Sequence, residues 1–380
     1  MLPQAEHTTA SDAVDEDARM MAAALCFARR GLGRVAPNPA VGALVIKDGV
    51  VVGRGVTGVG GRPHAETIAL REAGSAAKGA ALYVTLEPCS HHGRTPPCAD
   101  AIIAAGISRV VSATDDPDAR VAGQGHQRLR AAGIDLRTGV LSREARRLNI
   151  GHILRVTQGR PMLTLKLAET VDGFAAGPAG APRLMLTGET ANAHVHMMRT
   201  LHDAVFVGSG TALADDPLLT VRLPGLEAAK PLRIVIDPKL AMPPASHLAM
   251  TAIEHPVLVL ANERASHAAE AQLVEKGVEI IRLADGDADR LDLSLVLKSL
   301  AERGLTRVFC EGGPRLAASL IADSFADEIV LLTSTVALQG QGIAALSPSD
   351  RASLADPGQF RCVEDRMLGP DRLRRYERLL

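Results

Sequence analysis

Between positions 63 and 98 the chain gathers residue types that could hold a metal and move a proton: Pro63-His64-Ala65-Glu66, then Glu87-Pro88-Cys89, then Cys98. One imidazole, two thiols and a carboxylate that need not ligate are the inventory of a catalytic zinc site. Three protein ligands leave a fourth tetrahedral position for water, whose pKa the ion lowers toward about 7. Glu66 could then take the water proton and pass it to a departing amine, so the pattern points to hydrolytic deamination. Residues two apart do not share a face inside a helix. His64 and Glu66 therefore belong at a helix start, and Pro63 suits one. Cys89 follows a strand-ending proline, and Cys98 falls in the first turn of a helix opened by Pro96-Pro97, where the helix N-terminus lowers a thiol pKa. Singly, each residue reads as a buried cysteine or a surface histidine; the joint spacing carries the assignment. A structural zinc protein would need a fourth ligand, which His91 or His92 lies close enough to supply, and release of ammonia separates that reading from the catalytic one.

A second set of residues lies further along. Gly208-Ser209-Gly210 follows a strand but is not a dinucleotide fingerprint, because no glycine stands three positions on. Glu311-Gly312-Gly313 is more informative. It ends a strand and opens a helix, where backbone amides can receive a cofactor phosphate.

The apolar pattern predicts the elements that must position these residues. Residues 1–17 are polar, acidic and aperiodic, which predicts a disordered tail. From 18 onward the pattern gives a helix to about Arg30, strands at Val41–Lys47 and Val50–Val56, a helix from about Ala65 and a strand at Ala81–Thr85. A helix from about Pro97, a strand at Arg109–Ala113, a helix at Gln124–Ala132 and a strand at Ile134–Arg137 complete an α/β sandwich. Gly159-Arg160-Pro161 then breaks the pattern and divides the chain into domains 18–158 and 159–380. Beyond it, strands at Met162–Leu167, Ala204–Gly208, Leu232–Asp237, Pro256–Ala261, Glu279–Leu283, Arg307–Cys310 and Glu328–Ser334 alternate with helices. They predict a second, parallel-rich α/β sheet.

Composition narrows the function classes. A chain of 380 residues is long enough for two cores. Its 42 basic and 43 acidic residues leave a net charge of -1, so no field favours nucleic acid or an anionic membrane, and a small-molecule substrate fits better. Aromatic content of 2% without tryptophan also removes stacking platforms for single-stranded nucleic acid. A base deaminase acting on nucleic acid, with a degenerate or unrelated second domain, is the alternative; it would need a basic face that this charge balance does not offer. Five scattered cysteines point to a reducing, cytoplasmic setting. The apolar run Met20–Ala28 has Asp12, Asp15, Glu16 and Asp17 before it and Arg29-Arg30 after it, the wrong polarity for a secretory signal. No run of about 18 apolar residues supports a membrane span.

His64-Ala65-Glu66 with Pro88-Cys89-Ser90-His91-His92-Gly93-Arg94-Thr95-Pro96-Pro97-Cys98 resembles the bifunctional riboflavin-biosynthesis deaminase/reductase family. The eight residues between the cysteines are that family's mark, and Pro37-Asn38-Pro39-x-Val41-Gly42 matches it as well. So do Leu165-Lys166, Asp172-Gly173, Gly210-Thr211-x-x-x-Asp215-Asp216-Pro217-x-Leu219-Thr220-x-Arg222 and Glu311-Gly312-Gly313-Pro314. The resemblance implies a cytidine-deaminase-like α/β/α sandwich followed by a dihydrofolate-reductase-like α/β domain. It implies zinc-dependent deamination of a diaminopyrimidinone bearing a phosphoribosylamino group, then reduction of the ribosyl group to ribityl with NADPH. By matching positions, Asn38, Arg94, Lys166, Arg183, Arg199, Leu219, Arg222 and Glu311 would meet substrate, with Arg94, Arg199 and Arg222 toward its phosphate. Ala168, Met185, Thr211, Asp215, Gly313, Pro314, Arg315 and Leu316 would meet NADPH. The chain departs from the family at Glu169, usually a small residue, and at Arg183-Leu184-Met185-Leu186-Thr187, usually Ser-x-Trp-Ile-Thr. Met185 thus stands for a tryptophan and could fill a similar apolar gap. Beyond the small substrate, further copies of the chain are the only partners left open.

Overall fold

A computed structural model of the chain describes residues 10–91, 96–119, 122–178, 180–181, 184–284 and 289–379, with side chains from 15 onward. Between Gln158 and Gly159 the chain divides into two compact units.

The first unit runs α1 (Ala10–Arg29), β1 (Gly42–Lys47), β2 (Val50–Val56), α2 (Ala65–Ala73), β3 (Ala81–Val84), α3 (Cys98–Ala104), β4 (Arg109–Ser112), α4 (Gln124–Ala131), β5 (Asp135–Thr138), α5 (Ser142–Leu148) and α6 (Ile150–Gln158). The five strands order as β2-β1-β3-β4-β5, with β1 antiparallel to both neighbours and β3, β4 and β5 parallel. Strand alternation splits the apolar residues between two faces. Ala43, Val45, Leu82, Val84 and Val110 pack against Ala69, Ile102 and Leu129 of α2, α3 and α4. Leu44, Ile46, Tyr83 and Val111 pack against Met21, Ala24, Ala28 and Leu148 of α1 and α5. The result is a three-layer α/β/α sandwich.

Two glycines let the site-bearing helices approach closely. A Cβ on Gly55 of β2 would lie 2.0 Å from the Ala65 carbonyl at the start of α2, and one on Gly125 of α4 would lie 1.9 Å from the Pro88 carbonyl. Bare backbone at both places seats the His64 and Cys89 segments against the sheet.

The expected tail needs correction. Residues 1–9 lie outside the described residues, but the chain is helical from Ala10. Asp17 is 1% exposed and accepts from both Arg109 Nη atoms at 2.8 Å, from Arg137 and from the Tyr83 hydroxyl. It lies one helical turn before Met21, on the face that continues to Ala24, Leu25 and Ala28. Its acidity made the segment read as polar tail, whereas partners on other elements bury it.

The second unit runs β6 (Met162–Glu169), β7 (Phe174–Ala176), α7 (Glu189–Thr200), β8 (Ala204–Gly208), α8 (Ser209–Asp215), β9 (Leu232–Ile236), α9 (His247–Met250), β10 (Val257–Asn262), α10 (His267–Val274) and β11 (Glu279–Leu283). It continues through α11 (Leu293–Glu302), β12 (Arg307–Cys310), α12 (Pro314–Ala322), β13 (Glu328–Thr333), β14 (Ile343–Ala344), α13 (Pro348–Ala355), β15 (Phe360–Leu368) and β16 (Asp371–Arg378). Nine strands order as β11-β10-β9-β8-β12-β6-β13-β16-β15, parallel as far as β13 and antiparallel beyond. The last hairpin escaped the sequence reading because it is rich in charge. Its arginines are paired, Arg375 with Glu364 and Glu328 at 2.9 Å and Arg372 with Asp365 at 2.6 Å. Among the described residues no helix is long and apolar enough to cross a membrane.

Candidate active sites

His64 is the N-cap of α2 with extended backbone, and Glu66 lies in the first turn, so the two side chains leave one helix start. Cys98 opens α3 after Pro97. Its N–H donates to the Cys89 sulfur at 3.3 Å, while the Ala99 N–H donates to the Cys89 carbonyl at 3.1 Å, which docks the Cys89 loop on that helix start.

The ligand atoms of His64, Cys89 and Cys98 all lie within 4.8 Å of one another, and His64 Nδ1 stands 3.3 Å from Cys98 Sγ and 3.6 Å from Cys89 Sγ. Tetrahedral zinc with ordinary Zn–N and Zn–S bonds sets such pairs about 3.6 Å apart. The donor set therefore fits the ion. A hydrogen bond from the Cys98 thiol holds Cys89 down to about 4 against its burial, and the same bond with burial pushes Cys98 up. Glu66 is 4% exposed, and burial raises its carboxyl above the usual range. His91 is not part of the ligand cluster, and His92 lies outside the described residues.

His64, Glu66 and Cys89 line a cavity of about 470 Å³, the size of a small-molecule site. Asn38 lines it, with Nδ2 donating to the Gly61 carbonyl at 2.8 Å. The expected Arg94 lies outside the described residues. Arg62, Asp116, Asp118 and His152 also line the cavity and were missed. Asp116 carried a usable signal, since it follows the carboxyl end of β4, where α/β sheets bind ligands. His152 carried none. Glu87 on the same wall sits near Asp115 and His126 in a metal-like cluster. Its two oxygens instead accept the backbone N–H groups of Asp116, Gly123, Gly125 and His126 at 2.8 to 3.3 Å, which uses the acceptor capacity of a carboxylate and ties the loop after β4 to Cys89.

In the second unit the carboxyl ends of the adjacent strands β8, β12 and β6 gather the remaining residues. Arg199 is 8% exposed, and its Nε and Nη2 donate to the Glu311 carboxylate at 2.6 and 3.1 Å while Nη1 donates to the Thr220 carbonyl at 2.6 Å. The guanidinium expected to reach toward a phosphate is thus engaged by protein. Burial alone would raise Glu311, but Arg199, aided by Lys166, holds it below the carboxylate range. Arg222 is exposed beside this pair, its N–H donating to His196 Nδ1 at 3.2 Å. Leu219 has positive φ and a side chain 3% exposed in the core, which leaves its backbone for a ligand.

For NADPH the structure offers two facing helix starts. A Cβ on Gly313, the N-cap of α12, would lie 3.4 Å from Thr211 Oγ1 of α8, and one on Gly312 would lie 2.7 Å from Leu316 Cδ2. Gly313 provides no side-chain cap, so amides of the first turn, including those of Arg315 and Leu316, can meet a phosphate. Pro314 takes the first helical position, Asp215 ends α8 and Ala168 is half-buried on β6. Met185 is 68% exposed, and Arg183 lies outside the described residues.

Residues 14–114 match the family described as the cytidine and deoxycytidylate deaminase zinc-binding region, and residues 161–363 match the RibD C-terminal domain. The riboflavin biosynthesis protein RibD of Aquifex aeolicus is 42% identical over 331 residues, 86% of this chain and 89% of its own. That of Escherichia coli is 38% identical over 371 residues, 94% of this chain and 98% of its own. The chain belongs to the RibD family. Among RibD structures, that of the Thermotoga maritima diaminohydroxyphosphoribosylaminopyrimidine deaminase/5-amino-6-(5-phosphoribosylamino)uracil reductase covers 97% of this chain and 100% of its own at 33% identity, with a TM-score of 0.82. The zinc-binding match contains His64, Glu66, Cys89 and Cys98, and it begins inside α1, in keeping with that helix being part of the RibD deaminase unit. The RibD C-terminal match contains Lys166, Arg199, Arg222, Glu311 and Gly313.

Proposed function

We propose that the first unit hydrolytically deaminates a diaminopyrimidinone carrying a phosphoribosylamino group, and that the second reduces the ribosyl chain of the product to ribityl with NADPH. The observation that carries the reading is the convergence of His64, Cys89 and Cys98 beside buried Glu66 at the wall of a ligand-sized cavity.

His64, Cys89 and Cys98 would hold zinc, which would supply Lewis acidity and make a water more acidic. Glu66 takes that water's proton and returns it to the leaving nitrogen, so that water and a C–NH₂ group become a carbonyl and ammonia. Burial raises its pKa, which favours the protonated carboxyl that gives the proton to nitrogen. Asn38 orients the ring through its carboxamide. In the second unit bound NADPH supplies a hydride. Arg222 is the exposed cation for the substrate phosphate, Arg199 fixes Glu311, and Glu311 and Lys166 face the ribose. Amides at Gly313–Leu316 and the Thr211 hydroxyl receive cofactor phosphate. None of the five cysteines is in a disulfide, which supports a cytoplasmic setting.

The test is an anaerobic assay of the purified chain with the diaminopyrimidinone phosphate, reading ammonia release and NADPH oxidation separately. Ammonia should appear first, followed by stoichiometric NADPH oxidation. Zinc-dependent ammonia release from a nucleic acid base, and none from the small phosphate, would overturn the assignment.

A further inference from the structure

The segment Pro37–Ala40 carries Asn38 to the deaminase cavity yet belongs to no helix or strand. Its backbone is held from outside. Asn149 Oδ1 accepts the Ala40 N–H at 2.9 Å, and Asn149 Nδ2 donates to the Ala40 carbonyl at 3.0 Å. One carboxamide thus pairs with a whole residue of backbone, as a neighbouring strand would. Asn149 is 3% exposed and caps α5 just before α6 begins. One helical turn later His152 lies near the Pro37 backbone and lines the cavity. Burial pushes His152 down to about 4, so near pH 7 it is neutral. From the opposite side Thr57 Oγ1 donates to the Pro39 carbonyl at 3.1 Å and accepts the Val41 N–H at 2.9 Å. With Asn38 Nδ2 committed to Gly61, its Oδ1 is the acceptor left for a substrate N–H.

We infer that Asn149, seconded by His152, is a positioning residue for deamination: the start of α6 fixes the Pro37–Ala40 backbone so that Asn38 presents its carboxamide to the pyrimidine. Asn149 does not line the cavity, so its effect on substrate passes through the segment it holds. The inference rests on the reading of Asn38 as a substrate contact. A side chain that donates and accepts in one plane is required, since aspartate keeps the acceptor for the Ala40 N–H but sets a second oxygen against the Ala40 carbonyl.

Deamination kinetics, zinc content and reductase rate measured on the same preparations decide it. Asn149→Asp should raise KM about tenfold, a change of about 1.4 kcal/mol, while kcat stays within about twofold and zinc content and reduction are unchanged. Asn149→Ala, which removes both bonds to Ala40, should raise KM likewise and decides the matter if Asn149→Asp does not fold; His152→Leu should also raise KM, and His152→Gln should restore it. A fall in kcat per protein with KM unmoved would mean lost active fraction, hence a merely structural role, and would overturn the inference, as would unmoved kinetics. Asn38→Ala is the reference. If it leaves KM unchanged, the Asn38 reading fails on its own; if it raises KM while the Asn149 and His152 variants do not, only the positioning inference fails.

Discussion

Glu66 is where one side chain carries the most chemistry. It is buried beside the proposed metal ligands, and its raised pKa suits the proposed role of taking a proton from water and giving it to nitrogen. Glu66→Gln keeps the shape and removes the shuttle. Ammonia release should fall by about 10² to 10⁴, the usual worth of a positioned acid/base group. Metal analysis of the same variant should show undiminished zinc, and near-normal turnover would remove Glu66 from its role. This residue was legible because its spacing from His64 makes sense only at a helix start. Arg199 differs: the resemblance implied a phosphate contact there, and its pairing with Glu311, 112 residues away, was not legible because only folding brings the two together.

Two elements carry predictions about stability. On α1, Asp17 joins Arg109 and Arg137 of neighbouring strands, and these arginines are 31% and 33% exposed. Asp17→Asn should destabilise the first unit by about 2 kcal/mol, less than the 3 to 5 of a fully buried pair because solvent screens the arginines. Denaturant unfolding followed by loss of deamination measures it, and an unchanged midpoint would show that α1 is held by its apolar face alone. Between α7 and β6, His202 is 3% exposed, with Nδ1 2.7 Å from the Met198 carbonyl and Nε2 2.9 Å from Thr164 Oγ1. Burial pushes its pKa down to about 3, against about 6.5 in an unfolded chain. Between those values the unfolded state binds the extra proton. The second unit should therefore keep this contribution above about pH 6.5 and lose it progressively as pH falls toward 3. His202→Gln should flatten the dependence of the unfolding midpoint on pH in that window; an unaltered slope would assign the acid sensitivity to other groups.

Across the whole molecule the two chemistries occupy separate units, one before Gln158 and the other after Gly159. Cys89→Ser should abolish ammonia release and leave reduction of the deaminated intermediate intact. Arg222→Ala should weaken reduction by about 1.5 to 3 kcal/mol, the worth of a charge-assisted bond to phosphate, and spare deamination. Loss of both activities in folded Cys89→Ser supplied with the intermediate would mean a shared site. The sequence by itself pointed to His64, Cys89, Cys98 and Glu66 as one cluster and determined the alternation of strands and helices. Each of these is encoded in short spans, where spacing dictates which face or helix end a side chain occupies. Only the tertiary structure decided that Asp17 belongs to the core, that Arg199 is spent on Glu311, that Met185 stands in solvent and that Asn149 reaches back 109 residues to Ala40. Local periodicity says how a residue faces its own element. Which elements become neighbours follows from strand order, and an order such as β8-β12-β6 is set by packing across the whole unit.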